Sequence, residues 1–112
     1  MNVIINDFLP TPGNIAINLF EQVFIRRDIW EARSEKARAE TLNHEAIHSA
    51  QMRELLWFFF YIIYGIEWLV RVFIDGPKNA RNNTSFEREA WEHEEDMDYL
   101  KTRKHYAQWR KN

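Results

Sequence analysis

The sequence predicts a helix-dominated α+β domain, and three stretches carry that prediction. A β-branched and aromatic run, "IAINLFEQVFIRRDIW" (residues 15–30), precedes a polar, helix-favouring segment that leads into "TLNHEAIHSAQMREL" (41–55). Next comes the apolar block "LLWFFFYIIYGIEWLVRVFI" (55–74), in which eighteen of twenty positions are apolar or glycine. A charged, helix-favouring tail closes the chain. At 112 residues the chain is expected to form one domain with a modest core.

Two prolines, a glycine and two asparagines in "NDFLPTPGN" (6–14) read as a loop. The first forty residues are expected to hold one or two short strands, the best candidate spanning Val23 to Arg26. "EARSEKARAE" (31–40) reads as a short helix or a lead-in to the next one. From Thr41, the spacing of Leu42, Ala46, Ile47, Ala50 and Leu55 gives one apolar stripe on a helix. A straight helix over 41–74 would be about 51 Å long, against roughly 35 Å across a compact domain of this size. A break near Glu54 or at Gly65 is therefore expected, giving a largely buried helical hairpin. Glu67 and Arg71, four residues apart, are placed to pair with each other or to sit at an interface. "DGPKN" (75–79) stops the helix. A final helix is expected from Ser85 to beyond Tyr106, acidic first and basic last, as the helix dipole favours.

Composition excludes several functions. No cysteine is present, so there is no disulfide, Cys-based zinc site or thiol chemistry. A net charge of −2 and a short basic tail give no basis for nucleic-acid binding. The N-terminal "MNVIINDFLPTPGN" lacks the basic and apolar regions of a secretory signal. The expected location is cytoplasmic or membrane-associated, with residues 55–74 the candidate surface for a membrane or protein partner.

The chemistry lies in His44-Glu45-x-x-His48. Four residues advance a helix by about 400°, so both imidazoles face one way, roughly 6 Å apart along the axis. Two neutral imidazoles and a carboxylate suit Zn²⁺ and leave a fourth position for water, whose pKa then falls to about 7. Glu45 is the expected general base, taking that water's proton as it attacks a peptide carbonyl and returning it to the leaving amine. Two packed or surface histidines on an amphipathic helix are the plain alternative. Glu54, about 9 Å beyond His48 along the axis, faces away and is not expected to be a ligand. Gln51 shares the histidine face, either as a hydrogen-bond partner of a ligand histidine or as ordinary packing at the core edge. A third ligand is sought in "NTSFEREAWEHE", which offers Glu87, Glu89, Glu92 and Glu94. Thr84 and Glu87 also fit a capping box, which would turn the Glu87 carboxylate back onto the chain and leave Glu89 as the alternative. Candidate oxyanion stabilisers are Arg26, Arg27, Arg88, His93 and Tyr99.

With "NHEAIH" before an apolar helix and "SFEREA" after it, the chain resembles the gluzincins over residues 41 to 100. The likeness is closest to compact gluzincin-like proteins that share this order. It implies a minimal zincin-like domain and peptide-bond hydrolysis of a peptide or protein substrate, with Glu87 as third zinc ligand and Ala90 as the small residue after it. Several gluzincins carry next an Asp that bonds a ligand histidine. Trp91 stands here, so that partner is missing or supplied elsewhere. The resemblance also suggests that the strand around Val23–Arg26 is the edge strand beside an extended substrate. The other expectation is a non-catalytic or membrane-associated structural or interaction protein that keeps this fold. In a further arrangement, the C-terminal "HYAQWRKN" folds over the cleft.

Overall fold

Val23 and Ile25 are fully buried while Gln22, Phe24 and Arg26 between them are half-buried, the two-residue alternation of a strand with one face on a core. This strand, β3 (Gln22–Arg26), is central in a three-stranded sheet of order β1-β3-β2 in the computed structural model, which describes residues 1–110. β1 (Asn2–Asn6) pairs with it in parallel, Val3 opposite Val23. β2 (Ala16–Leu19) pairs antiparallel, Ala16 opposite Ile25 and Leu19 opposite Gln22. The edge strands are therefore β1 and β2, and the expectation that Val23–Arg26 forms an edge is corrected. Phe20 and Glu21 join β2 to β3 with positive φ, 51° and 68°, the backbone of a tight two-residue hairpin. No glycine marks that turn. Instead Asn18 Oδ1 accepts from the Glu21 N–H at 2.9 Å and Tyr61 Oη from the Phe20 N–H at 2.8 Å.

α1 (Arg27–Ala32) continues directly from β3, and α2 (Glu35–Glu54) starts on a Ser34 cap that accepts from the Ala37 N–H. The long helix does break, at residues 55–57, where Leu56 and Trp57 take positive φ and the path turns by 110°. α3 (Phe58–Asp75) follows, and Gly65 lies within it without interrupting it. The break keeps the longest extent of the protein to 35 Å. Glu21 braces the elbow, accepting from Arg53 at 2.6 Å and Trp57 Nε1 at 2.7 Å.

Two expectations fail beyond this point. α3 is not largely buried: Phe60 alone is, packing with Met52 and Phe86. Phe58, Ile62, Ile66, Leu69 and Phe73 are exposed and fall within an arc of about 80° on the helix, leaving one apolar face open. Among the described residues no single helix is long and apolar enough to cross a membrane; α2 and α3 reach that composition only together, across the bend. The final helix is also shorter than expected. α4 (Ser85–His93) ends where the Asn43 side chain, reaching over from α2, donates to the carbonyls of His93, Glu94 and Asp96. The chain then folds back through α5 (Tyr99–Thr102), held by Arg103 between Glu54 and Glu89. Glu67 and Arg71 do not pair. Glu67 caps α4 through the Ser85 N–H at 2.7 Å, and Arg71 bonds Asp75.

Candidate metal centre

α2 buries eight residues, and six of them (Thr41, His44, Glu45, His48, Ser49 and Gln51) are polar. Burying polar groups is unfavourable unless each finds a partner, so a helix needed only for packing would carry leucine at these positions. The partners come from β2 on one side and α4 on the other. Asn18 donates to the Glu45 carbonyl at 3.2 Å and the Ser49 hydroxyl at 3.0 Å, fixing β2 across the middle of α2.

His44, His48 and Glu87 come together and could hold a metal ion. Glu87 Oε1 lies 3.2 Å from His44 Nε2 and 2.9 Å from His48 Nε2, and the two Nε2 atoms are 3.2 Å apart. Bonds of 2.0–2.1 Å at the tetrahedral angle place zinc ligands about 3.3–3.4 Å apart, close to this triangle. Each imidazole is oriented from behind. His44 Nδ1 donates to Glu94 Oε1 at 2.8 Å, and a carboxylate can only accept. His48 Nδ1 donates to Gln51 Oε1 at 2.8 Å, and the Gln51 amide is set by its own donation to Phe86 O and Glu89 Oε1. With the proton on Nδ1, both Nε2 lone pairs point into the triangle. Three acceptors this close repel one another unless a cation or a proton lies between them.

Glu87 divides its two oxygens. Oε1 faces the histidines, while Oε2 accepts from Tyr64 Oη at 2.9 Å and Arg81 Nε at 3.2 Å. Only half of the capping box forms: Thr84 Oγ1 accepts from the Glu87 N–H, but the Thr84 N–H goes to Arg81 O, leaving the carboxylate free to turn inward. Burial disfavours the Glu87 charge, yet His48, His44 and Arg81 outweigh it and hold the carboxyl well below its usual range. Burial by itself would lower the His48 pKa, but the Glu87 carboxylate pushes it up to about 9. Burial raises the Tyr64 hydroxyl, and the Glu87 charge adds to that. Glu45 is buried, lines the cleft with His48 and Glu87, and makes no side-chain hydrogen bond among the described residues. Its carboxyl is pushed above the ordinary range by burial, against the pull of the two imidazoles.

Other expected site residues lie elsewhere. Glu89 turns to the far side of α4, where it bonds Arg103, Tyr99 and Gln51, so it does not join the triangle. None of the five expected oxyanion stabilisers lines the cleft. Arg26 and Arg27 bond Pro10 O and Asp7, Tyr99 stacks on His93, and Arg88 faces the opposite side of α4. The C-terminal arm, of which residues 111–112 lie outside the described residues, packs Trp109 on Phe86, outside the cleft. Sequence reading missed Tyr64, hidden in an apolar run, and Arg81. Glu94 it considered only as a ligand, although its spacing of seven residues from Glu87 puts both on one helix face. Trp91 lies edge-on to the His44 ring at 4.8 Å.

The cleft, of about 560 Å³, lies between β2, residues 9–14 and α3, and Glu45, His48 and Glu87 line it while His44 stands behind them. Compared with known proteins, the chain matches no family model, no curated protein and no solved structure.

Proposed function

We propose that the chain is a metal-dependent peptide hydrolase of gluzincin type, with His44, His48 and Glu87 holding the ion and Glu45 carrying the proton. The observation that carries this reading is the paired backing of the imidazoles by Glu94 and Gln51, which aims both Nε2 atoms at the point faced by Glu87 Oε1. A donor set of two imidazoles and one carboxylate fits zinc with a position left open. The ion, when bound, supplies a Lewis acid that acidifies water and polarises a carbonyl.

The remaining work belongs to the side chains. Glu45 stands unpartnered at the cleft wall, and its raised pKa suits a group that takes a proton from water and gives it to a leaving amine. Arg81 is the one Lys or Arg among the residues lining the cleft; with Tyr64 it is placed to face negative charge developing on a carbonyl oxygen. Both also hold Glu87 by Oε2, which keeps Oε1 alone toward the histidines. The outer edge of β2 is where an extended substrate backbone can pair. Replacing Glu45→Gln is expected to cut kcat by about 10²- to 10⁴-fold while metal content stays unchanged. Equal turnover in that variant contradicts the assignment.

A second reading rests on the open face of α3, where Phe73 is 82% and Phe58 62% exposed. Contiguous apolar surface of this kind marks membrane or protein contact, and a protein built for that contact needs no turnover. Co-sedimentation with phosphatidylcholine–phosphatidylglycerol vesicles, lost on Ile66→Glu, supports this reading. Full recovery of the wild-type protein in the supernatant as a monomer removes it.

A further inference from the structure

From the hydrogen bonds around Tyr61 we infer that the cleft is a groove closed at one end, and that it takes the amino-terminal end of a peptide rather than the middle of a chain. The inference rests on the peptide-hydrolase reading above and narrows its substrate class.

Arg26 N–H donates to Ile15 O at 3.2 Å, which sets the alternation along β2. Ile15, Ile17 and Leu19 turn their backbone groups to β3, so Ala16 and Asn18 turn theirs to the free edge. That edge is not free throughout. Tyr61 Oη, projecting from α3, donates to Asn18 O at 3.1 Å and accepts from the Phe20 N–H at 2.8 Å. Its ring stands 4.7 Å from that of Phe20. Just beyond, Glu21 is joined to both Arg53 and Trp57 of the elbow. The cleft is therefore shut where β2 meets the elbow. At the Ala16 end, beside residues 9–14, α3 sends no such bridge across.

The closure lies close to the candidate metal centre. Tyr61 follows Phe60, whose ring faces His48 at 6.3 Å, and Asn18 itself bonds the Glu45 carbonyl. The closed side is therefore short. Orientation follows from pairing. Antiparallel pairs are the more stable and the more common, and a peptide antiparallel to β2 runs from Tyr61 toward Asn14, with its amino end at the closure. Charge agrees, because among the described residues the cations at the closed end, Arg53 and the amino terminus, are both paired with Glu21 and offer nothing to a terminal carboxylate. Arg81, the one basic residue of Lys or Arg type lining the cleft, is tied to Glu87.

The test measures binding to zinc-loaded Glu45→Gln protein by fluorescence anisotropy. The probes are a labelled apolar octapeptide, its head-to-tail cyclic form, and versions extended by ten Gly/Ser residues at either end. The expected result is at least tenfold weaker binding for the cyclic and amino-extended forms, with the carboxyl-extended form unchanged. Tyr61→Phe, with zinc content as the check on folding, is expected to restore binding of the amino-extended form. Equal affinity for linear, cyclic and amino-extended peptides overturns the inference while leaving peptide hydrolysis standing. So does weakening by the carboxyl extension alone. Failure of every peptide to bind contradicts the hydrolase reading, and the inference falls with it. The comparison of lengths needs no Tyr61 variant, so a misfolded substitution does not decide the outcome.

Discussion

Glu94 shows how a single side chain orients a candidate metal ligand. Its carboxylate fixes the His44 tautomer from outside the triangle and is partly open to solvent, so Glu94→Ala removes an orienting acceptor while leaving the core intact. Metal affinity is expected to fall about 10- to 100-fold, read by competition with a chromophoric chelator; unchanged affinity contradicts the role. The triangle also predicts a pH signature. In protein stripped of metal, His48 keeps its proton up to about 9, against 6.5 for an ordinary histidine. That proton stabilises the fold in full below pH 6.5, and its contribution is lost as pH rises through 9. Glu87 acts in the opposite direction: its depressed pKa stabilises above 4.5 and is lost on acidification. Stripped protein should thus be most stable from about pH 4.5 to 6.5 on these two groups. Metal displaces the proton, so the Tm gap between loaded and stripped protein is expected to widen from pH 6.5 to 9. A constant gap contradicts the shared site. At this scale the sequence was legible wherever spacing was local. His44, Glu45, His48 and Gln51 lie within two helical turns and had to share a face, whereas Tyr64 and Arg81 reach Glu87 only through tertiary packing.

Elements were legible where one period dominated. The alternation at Val23 and Ile25 marked β3, and the length of 41–74 required a break. The edge position of β2 was not legible, because β1 takes the other side of β3 through a parallel pairing that no local pattern announces. The early end of α4 was hidden for a similar reason. "EHEEDMD" favours helix, and the stop comes from Asn43, fifty residues earlier in the chain. Asn43→Ala is expected to cost about 1–2 kcal/mol and to raise amide exchange in residues 94–103 ahead of the rest. If exchange rises first in β1–β3 instead, Asn43 is not the terminator. The openness of α3 could not be read from hydropathy, which reports how apolar a helix is and not how much of it finds a neighbour.

For the molecule as a whole, the fold brings a sheet edge, a helix with a polar buried face and a carboxylate from α4 to one cleft within a body whose Cα radius of gyration is 14.0 Å. Cores this small leave little stability to spare, yet this one places Glu87, Glu89 and Glu45 inside. An ion held by the triangle would offset that burden, contributing about 2.7 kcal/mol when free metal exceeds Kd by 100-fold. Metal stoichiometry therefore tests the central claim most directly. Chelator-stripped protein is reconstituted with Zn²⁺, freed of excess metal and measured by elemental analysis beside the His44→Ala variant. The account predicts one ion per chain in the wild type and none retained by the variant. No bound ion, or equal content in both, contradicts it.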